Sequence, residues 1–187
     1  MNDDTGQLSR KIILLVLDMQ ETFLKVMPDR ESVMARCSLA VSAAHLLGID
    51  VVFTEQMPDK LGPTLPELLA LAPDASVFGK TSFSALQAPG LEAYLQEGET
   101  EHLLIAGLET PICVYQTALA AQNEDYGVTL LSDALTCRRS DDGEQILRAL
   151  RHAACHILPT ETVFYSLLSD SRHPAFRSFT QLVKQYG

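Results

Sequence analysis

Asp18, Lys80 and Cys113 have side chains suited to covalent chemistry, and each stands at or just beyond the end of an apolar run. Cys113 follows the run from His102 to Gly107 and opens what reads as a helix. A thiol there sits among unpaired N–H groups at the positive end of the helix dipole, which stabilises the thiolate. A thiolate attacks an electrophilic carbonyl carbon when a base takes its proton and a cation balances the charge. Asp18 is the candidate base, and Lys80 the cation that steadies both thiolate and carboxylate. Backbone N–H groups at the Cys113 turn would receive the oxyanion. The chemistry such a set permits is acyl transfer through a thioester, then attack by a water that Asp18 activates. Taken singly, each residue has an ordinary reading: a helix cap, a solvated lysine, a small buried hydrophobe. What decides between the two is whether the fold brings them together.

The elements that must do so alternate. Lys11 to Leu17 is a continuous apolar run, the mark of a strand covered on both faces. Glu31 to Leu47 carries apolar residues at helical spacing and ends at Gly48. Strands are expected at Asp50 to Thr54, Ala75 to Phe78, Leu103 to Ala106, Val128 to Leu131 and His156 to Leu158. Between Gln56 and Pro66, three prolines and a glycine predict a loop. Helices are expected at 90–97, from Cys113 to about Tyr126, at 142–155, from Thr160 or Thr162 onward, and after Pro174. This order predicts an α/β fold: a three-layer, doubly wound, mostly parallel sheet of about six strands with helices on both faces. Such sheets bind ligands beyond the carboxyl ends of their strands, where strand order reverses. The three reactive side chains would therefore meet in one crevice.

Composition narrows the partners. The 187 residues suffice for one domain with a substantial core, and no linker-like stretch divides them. A net charge of -10 opposes nucleic acid or an anionic membrane as partner. The polar start from Met1 to Lys11 does not read as a signal peptide, and the apolar runs are too short to span a bilayer. A cytoplasmic location is the expectation. Cys37, Cys113, Cys137 and Cys155 lie far apart and read as free thiols. Charged residues are only 20%, which suits a surface partly hidden in a homo-oligomer, a dimer or larger.

The stretches LLVLDMQ (14–20), KTSFSAL (80–86), IAGLETPICVYQTALAA (105–121) and GVTLLSDA (127–134) together resemble the isochorismatase-like, or cysteine hydrolase, superfamily. Nicotinamidases and N-carbamoylsarcosine amidohydrolase belong to it. The loop at 54–68 and the tail at 169–184 are most similar to its isochorismatase domain-containing proteins, whose substrates are poorly defined. The resemblance implies an Asp-Lys-Cys triad of Asp18, Lys80 and Cys113. It also implies a non-proline cis peptide at Leu108-Glu109, with an oxyanion hole from the N–H groups of Glu109 and Cys113. In isochorismatases proper, which cleave a vinyl ether, the nucleophile position is not a thiol, so Cys113 points to amide-type C–N hydrolysis. Nicotinamidases carry an Asp-x-His and a further histidine after the second strand. Here Glu55-Gln56-Met57-Pro58-Asp59 holds none, so no metal and no cofactor is expected.

Closeness to the triad in the chain nominates Phe23, Glu55, Gln56, Thr81, Phe83 and Tyr115 as walls for a small-molecule substrate. Core packing and loop hydrogen bonds are the competing readings for each. His152, Cys155 and His156 have ligand-like spacing but fall outside the crevice, and ordinary packing or surface roles are expected. At the level of function, the alternative to a hydrolase is a non-catalytic binding or interaction module that keeps the fold. A redox-sensing thiol is disfavoured because no neighbouring cysteine offers a resolving partner.

Overall fold

Every inward position of the first strand is apolar on both faces, and this places it at the centre of the sheet. In the computed structural model, which describes residues 11–187, β1 is Ile12–Leu17. Leu14 and Val16 belong to the core on one side of the sheet, and Ile13, Leu15 and Leu17 to the core on the other. The same split holds for Leu104 and Ala106 against Leu103 and Ile105. A strand buried on both faces needs helices on both, which is the parallel arrangement.

The remaining strands are β2 (Asp50–Gln56), β3 (Ser76–Lys80), β4 (His102–Gly107), β5 (Gly127–Leu135) and β6 (His156–Leu158). All are parallel, in the order β3-β2-β1-β4-β5-β6. Strand order therefore reverses between β1 and β4, and the crevice opens beyond Leu17 and Gly107. The helices are α1 (Arg30–Leu46), α2 (Leu91–Glu97), α3 (Tyr115–Asn123), α4 (Ser140–His152), α5 (Thr160–Leu168) and α6 (Phe176–Tyr186). Helices α1, α5 and α6 cover one face; α2, α3 and α4 cover the other. Buried Val33, Cys37, Ala40, Val41 and Ala44 form the sheet-facing stripe of α1. Phe179 of α6 is fully buried, edge-on to Tyr165 of α5 at 4.9 Å between ring centres.

The expected three-layer architecture is the one observed. The differences are local. The segment 110–114 is a single π-helical turn rather than the start of an α-helix, and β5 runs on to Leu135. The loop after β2 contains a helical turn at Pro58–Leu61. His152 and His156 are exposed and Cys155 is buried, and all four cysteines are free thiols. Among the described residues no helix is long and apolar enough to cross a membrane. The reading of the polar amino-terminal segment concerns residues 1–10, which lie outside the described residues.

Gly107 lets the two central strands meet at the crevice. Its φ is +105°, and a Cβ there would stand 2.2 Å from the Leu17 carbonyl oxygen. Both the conformation and the space require glycine. Gly107→Ala is expected to destabilise the protein by more than about 2 kcal/mol, since rigid backbone blocks the methyl group. Urea unfolding would measure it, and an unchanged midpoint would show that the strand ends are free to part.

Candidate active site

The site is built from the carboxyl ends of β1, β3 and β4. Asp18 follows β1 with φ +54°, and its N–H donates to the Thr54 carbonyl at 3.0 Å. A left-handed residue at the strand end turns the chain out of the sheet while Asp tolerates the conformation. Thr54 Oγ1, buried in the neighbouring β2, donates to Asp18 Oδ1 at 2.9 Å. Lys80, the last residue of β3, pairs in register with Gln56 and reaches across β2 toward β1. Its Nζ donates to Asp18 Oδ2 at 2.8 Å and to Gln56 Oε1 at 2.6 Å. Ser82 O lies at 3.4 Å and Cys113 Sγ at 3.6 Å from the same nitrogen. An ammonium has three N–H bonds. Two are taken by the short contacts, leaving the third for the carbonyl or the sulfur.

The Lys80 and Asp18 side chains are 0% and 2% exposed. A buried pair of this kind persists only when its remaining donors and acceptors are satisfied. The surrounding residues meet that demand. Gln56 is itself fixed, donating from Nε2 to the Thr81 carbonyl at 2.9 Å and from its N–H to Gln20 Oε1 at 2.8 Å. Gln20 in turn donates to the Gln56 carbonyl at 3.1 Å. Thr54 and Gln20, both fully buried, are the supporting residues that reading the chain missed. A signal existed for each: a lone polar residue at the end of an apolar strand, and the last residue of LDMQ.

Cys113 lies in the π-helical turn Thr110–Val114 and is 6% exposed. Burial pushes its thiol up to about 12, and the Asp18 carboxylate beside it adds to the rise. Lys80 and the Glu109 backbone N–H act in the opposite direction but are outweighed. The thiolate expected at a helix start is thus disfavoured here, by burial and by the neighbouring carboxylate. Cys37 is also pushed up to about 12, mainly by burial, but it packs in the core under α1, away from Lys80.

The Leu108–Glu109 peptide is cis. Glu109 Oε1 accepts from Arg138 Nε at 2.8 Å and from the Arg138 N–H at 3.1 Å. A cavity of about 70 Å³ lies over the sulfur, lined by Asp18, Phe23, Gln56, Phe83, Leu108, Glu109, Ile112 and Cys113. Of the nominated walls, Phe23, Gln56 and Phe83 line it. Glu55 does not, because its carboxylate accepts from the Thr64 N–H at 2.7 Å and holds the following loop. Thr81 is exposed and contributes only its carbonyl, to Gln56. Tyr115, the first residue of α3, is partly buried against the core on that side of the sheet and does not line the cavity. Ile112 is a lining residue not nominated beforehand. Among the described residues no group of three or more His, Cys, Asp or Glu side chains converges as metal ligands would.

Known proteins share this architecture and sequence. The profile of the isochorismatase domain matches residues 12–162. Isochorismatase domain-containing protein 2 of Xenopus laevis is 35% identical over 180 residues, covering 94% of this chain and 85% of its own. The secreted isochorismatase effector Isc1 of Phytophthora sojae is 33% identical over 195 residues, covering 100% of this chain and 92% of its own. Among solved structures, MAR1 ribonuclease from Caenorhabditis elegans superposes with a TM-score of 0.89 at 26% identity, covering 94% of this chain and 91% of its own. A profile that takes in the whole sheet, together with relatives this similar along nearly the full chain, shows that the protein belongs to the isochorismatase family.

Proposed function

We propose that this protein is a cysteine hydrolase that cleaves an amide-type C–N bond of a small molecule through a thioester on Cys113. The observation that carries the reading is the buried Lys80 ammonium, 2.8 Å from Asp18 Oδ2 and 3.6 Å from Cys113 Sγ. A fold needs no such charge in its interior, where an ion pair is costly to bury.

In the proposed reaction the Cys113 proton passes to Asp18 as Sγ attacks the carbonyl carbon. The oxyanion takes the N–H groups of Glu109 and Cys113. Collapse of the tetrahedral species breaks the C–N bond, and Asp18 protonates the departing nitrogen. Asp18 then takes a proton from the incoming water, whose oxygen attacks the thioester. The acid leaves, and the proton on Asp18 returns to the sulfur. Lys80 keeps the carboxylate oriented and offsets the charge that moves between oxygen and sulfur.

Incubation with a panel of small amides should release ammonia or amine, and rapid acid quench should leave an acyl group on Cys113 by intact mass. The second reading, a non-catalytic binding module, is favoured by the burial of the thiol beside a carboxylate, which disfavours the thiolate. Saturable binding of panel members without release or acylation would establish that module instead. The C. elegans neighbour bears the name ribonuclease. A net charge of -10 opposes a polyanionic substrate here, so RNA should remain intact under conditions where amides turn over. RNA cleavage lost in Cys113→Ala would overturn the small-molecule proposal. A homo-oligomer and cytoplasmic residence complete the proposal, supported by the low charged fraction and by four free, buried thiols. Light scattering and cell fractionation check them.

A further inference from the structure

The cavity over the sulfur is lined mainly by apolar side chains, with Asp18, Gln56, Glu109 and Cys113 as its polar residues, and this arrangement bears on what can enter. Phe23, Phe83, Leu108 and Ile112 supply the apolar walls, and among the described residues no lysine, arginine or histidine lines the space. Two cations pair with its acidic residues, and each is held by a carboxylate. Lys80 is 0% exposed at its side chain and already donates to Asp18 and Gln56. Arg138 pairs with Glu109 from the solvent side, its side chain 58% exposed against 11% for Glu109. In both pairs the carboxylate residue lines the cavity and the cation does not. An anionic group entering would give up its hydration in a largely apolar space and find no cation there free to receive it.

We propose that the site selects compact, uncharged acyl groups and rejects those bearing a carboxylate, with the Glu109–Arg138 pair setting that preference. This rests on the hydrolase reading for its identification of the ligand as a substrate. Glu109 is a positioning and specificity residue in this scheme, acting through the field at the cavity. The volume of about 70 Å³ accommodates an acyl chain of only a few heavy atoms beyond the reacting carbonyl. Phe83, 53% exposed, stands at the boundary between the cavity and solvent.

The test compares propionamide with succinamate as substrates, and iodoacetamide with iodoacetate as alkylating agents of Cys113. In each pair the two molecules differ chiefly by a carboxylate. The neutral member should be preferred in both pairs, and more strongly at Cys113 than at the thiol of glutathione. Glu109→Gln should lower the alkylation preference by about fivefold, and Arg138→Gln should raise it by a similar factor, since one removes the negative and the other the positive charge. A merely structural role for the pair would move both variants in the same direction, and that result overturns the proposal. So does succinamate turning over faster than propionamide. If neither amide is hydrolysed while the alkylation preferences move as stated, the hydrolase reading fails and the selectivity of the cavity stands.

Discussion

Asp18→Asn should move two measurements on the same sulfur in opposite directions. Amide turnover should fall by about 10³-fold or more, because the group proposed to take and return the proton is gone. Alkylation of Cys113 near neutral pH should instead rise, by about tenfold. Burial remains, but the negative neighbour that also raises the thiol is removed, and Lys80 stays to favour the thiolate. The sign follows from the causes. A lower thiol pKa increases the thiolate fraction at any pH below it. In the wild-type protein, alkylation should keep rising through pH 9–10 without levelling off, since the thiol is pushed up to about 12. Cys113→Ala should abolish both readouts. If Asp18→Asn lowers turnover and alkylation together, Asp18 acts by activating the resting thiol, and the proposed order of proton transfer is wrong.

Lys80→Ala should be the most destabilising single change in the site. It would leave Asp18, 1% exposed, as a buried carboxylate without its cation, at a cost of about 3–5 kcal/mol in unfolding free energy. Gln56 Oε1 loses its donor as well, so two acceptors go unpaired. The double variant Asp18→Asn/Lys80→Met removes the charge along with its partner and should recover a substantial part of that loss. Urea denaturation of the wild type, both single variants and the double variant gives the coupling between the two positions. A Lys80→Ala protein as stable as wild type would mean that water or a rearranged side chain reaches Asp18. The same cycle bears on function: the double variant should be folded and inactive.

Much of this arrangement was legible in the chain because it depends on period. The apolar runs of β1 and β4 named the central strands, and Gly48 marked the end of α1. Asp18 and Lys80 were legible as lone charges at the ends of such runs. Other features depended on details that the pattern does not carry. Thr110-Pro111 after a strand reads like the first turn of an α-helix, and only the hydrogen-bond register makes it a π-turn. Burial of the sulfur beside Asp18, which the pattern also does not carry, is what disfavours the expected thiolate.

Glu55 and Gln56 were nominated together, although neighbours on a strand face opposite ways. One of them had to point elsewhere, and it is Glu55, which holds Thr64. Tyr115 follows Cys113 by two residues, roughly 200° around a helical axis, so the two side chains cannot share one wall. The alternation at 55 and 56 becomes visible only because β2 runs on to Gln56, two residues past its expected end at Thr54. Gln20 and Thr54 were harder, since a buried amide or hydroxyl declares its partners only in three dimensions.

The burial of Cys113, which disfavours its thiolate, has a consequence for durability. Peroxide oxidises thiolates far faster than thiols. A nucleophile that gives up its proton only as substrate arrives offers an oxidant very little anion between turnovers. The sulfur most needed for the proposed chemistry is thereby shielded from sulfenic acid formation while the site stands idle, and the protein should keep its activity through oxidative exposure that would inactivate an enzyme with a resting thiolate.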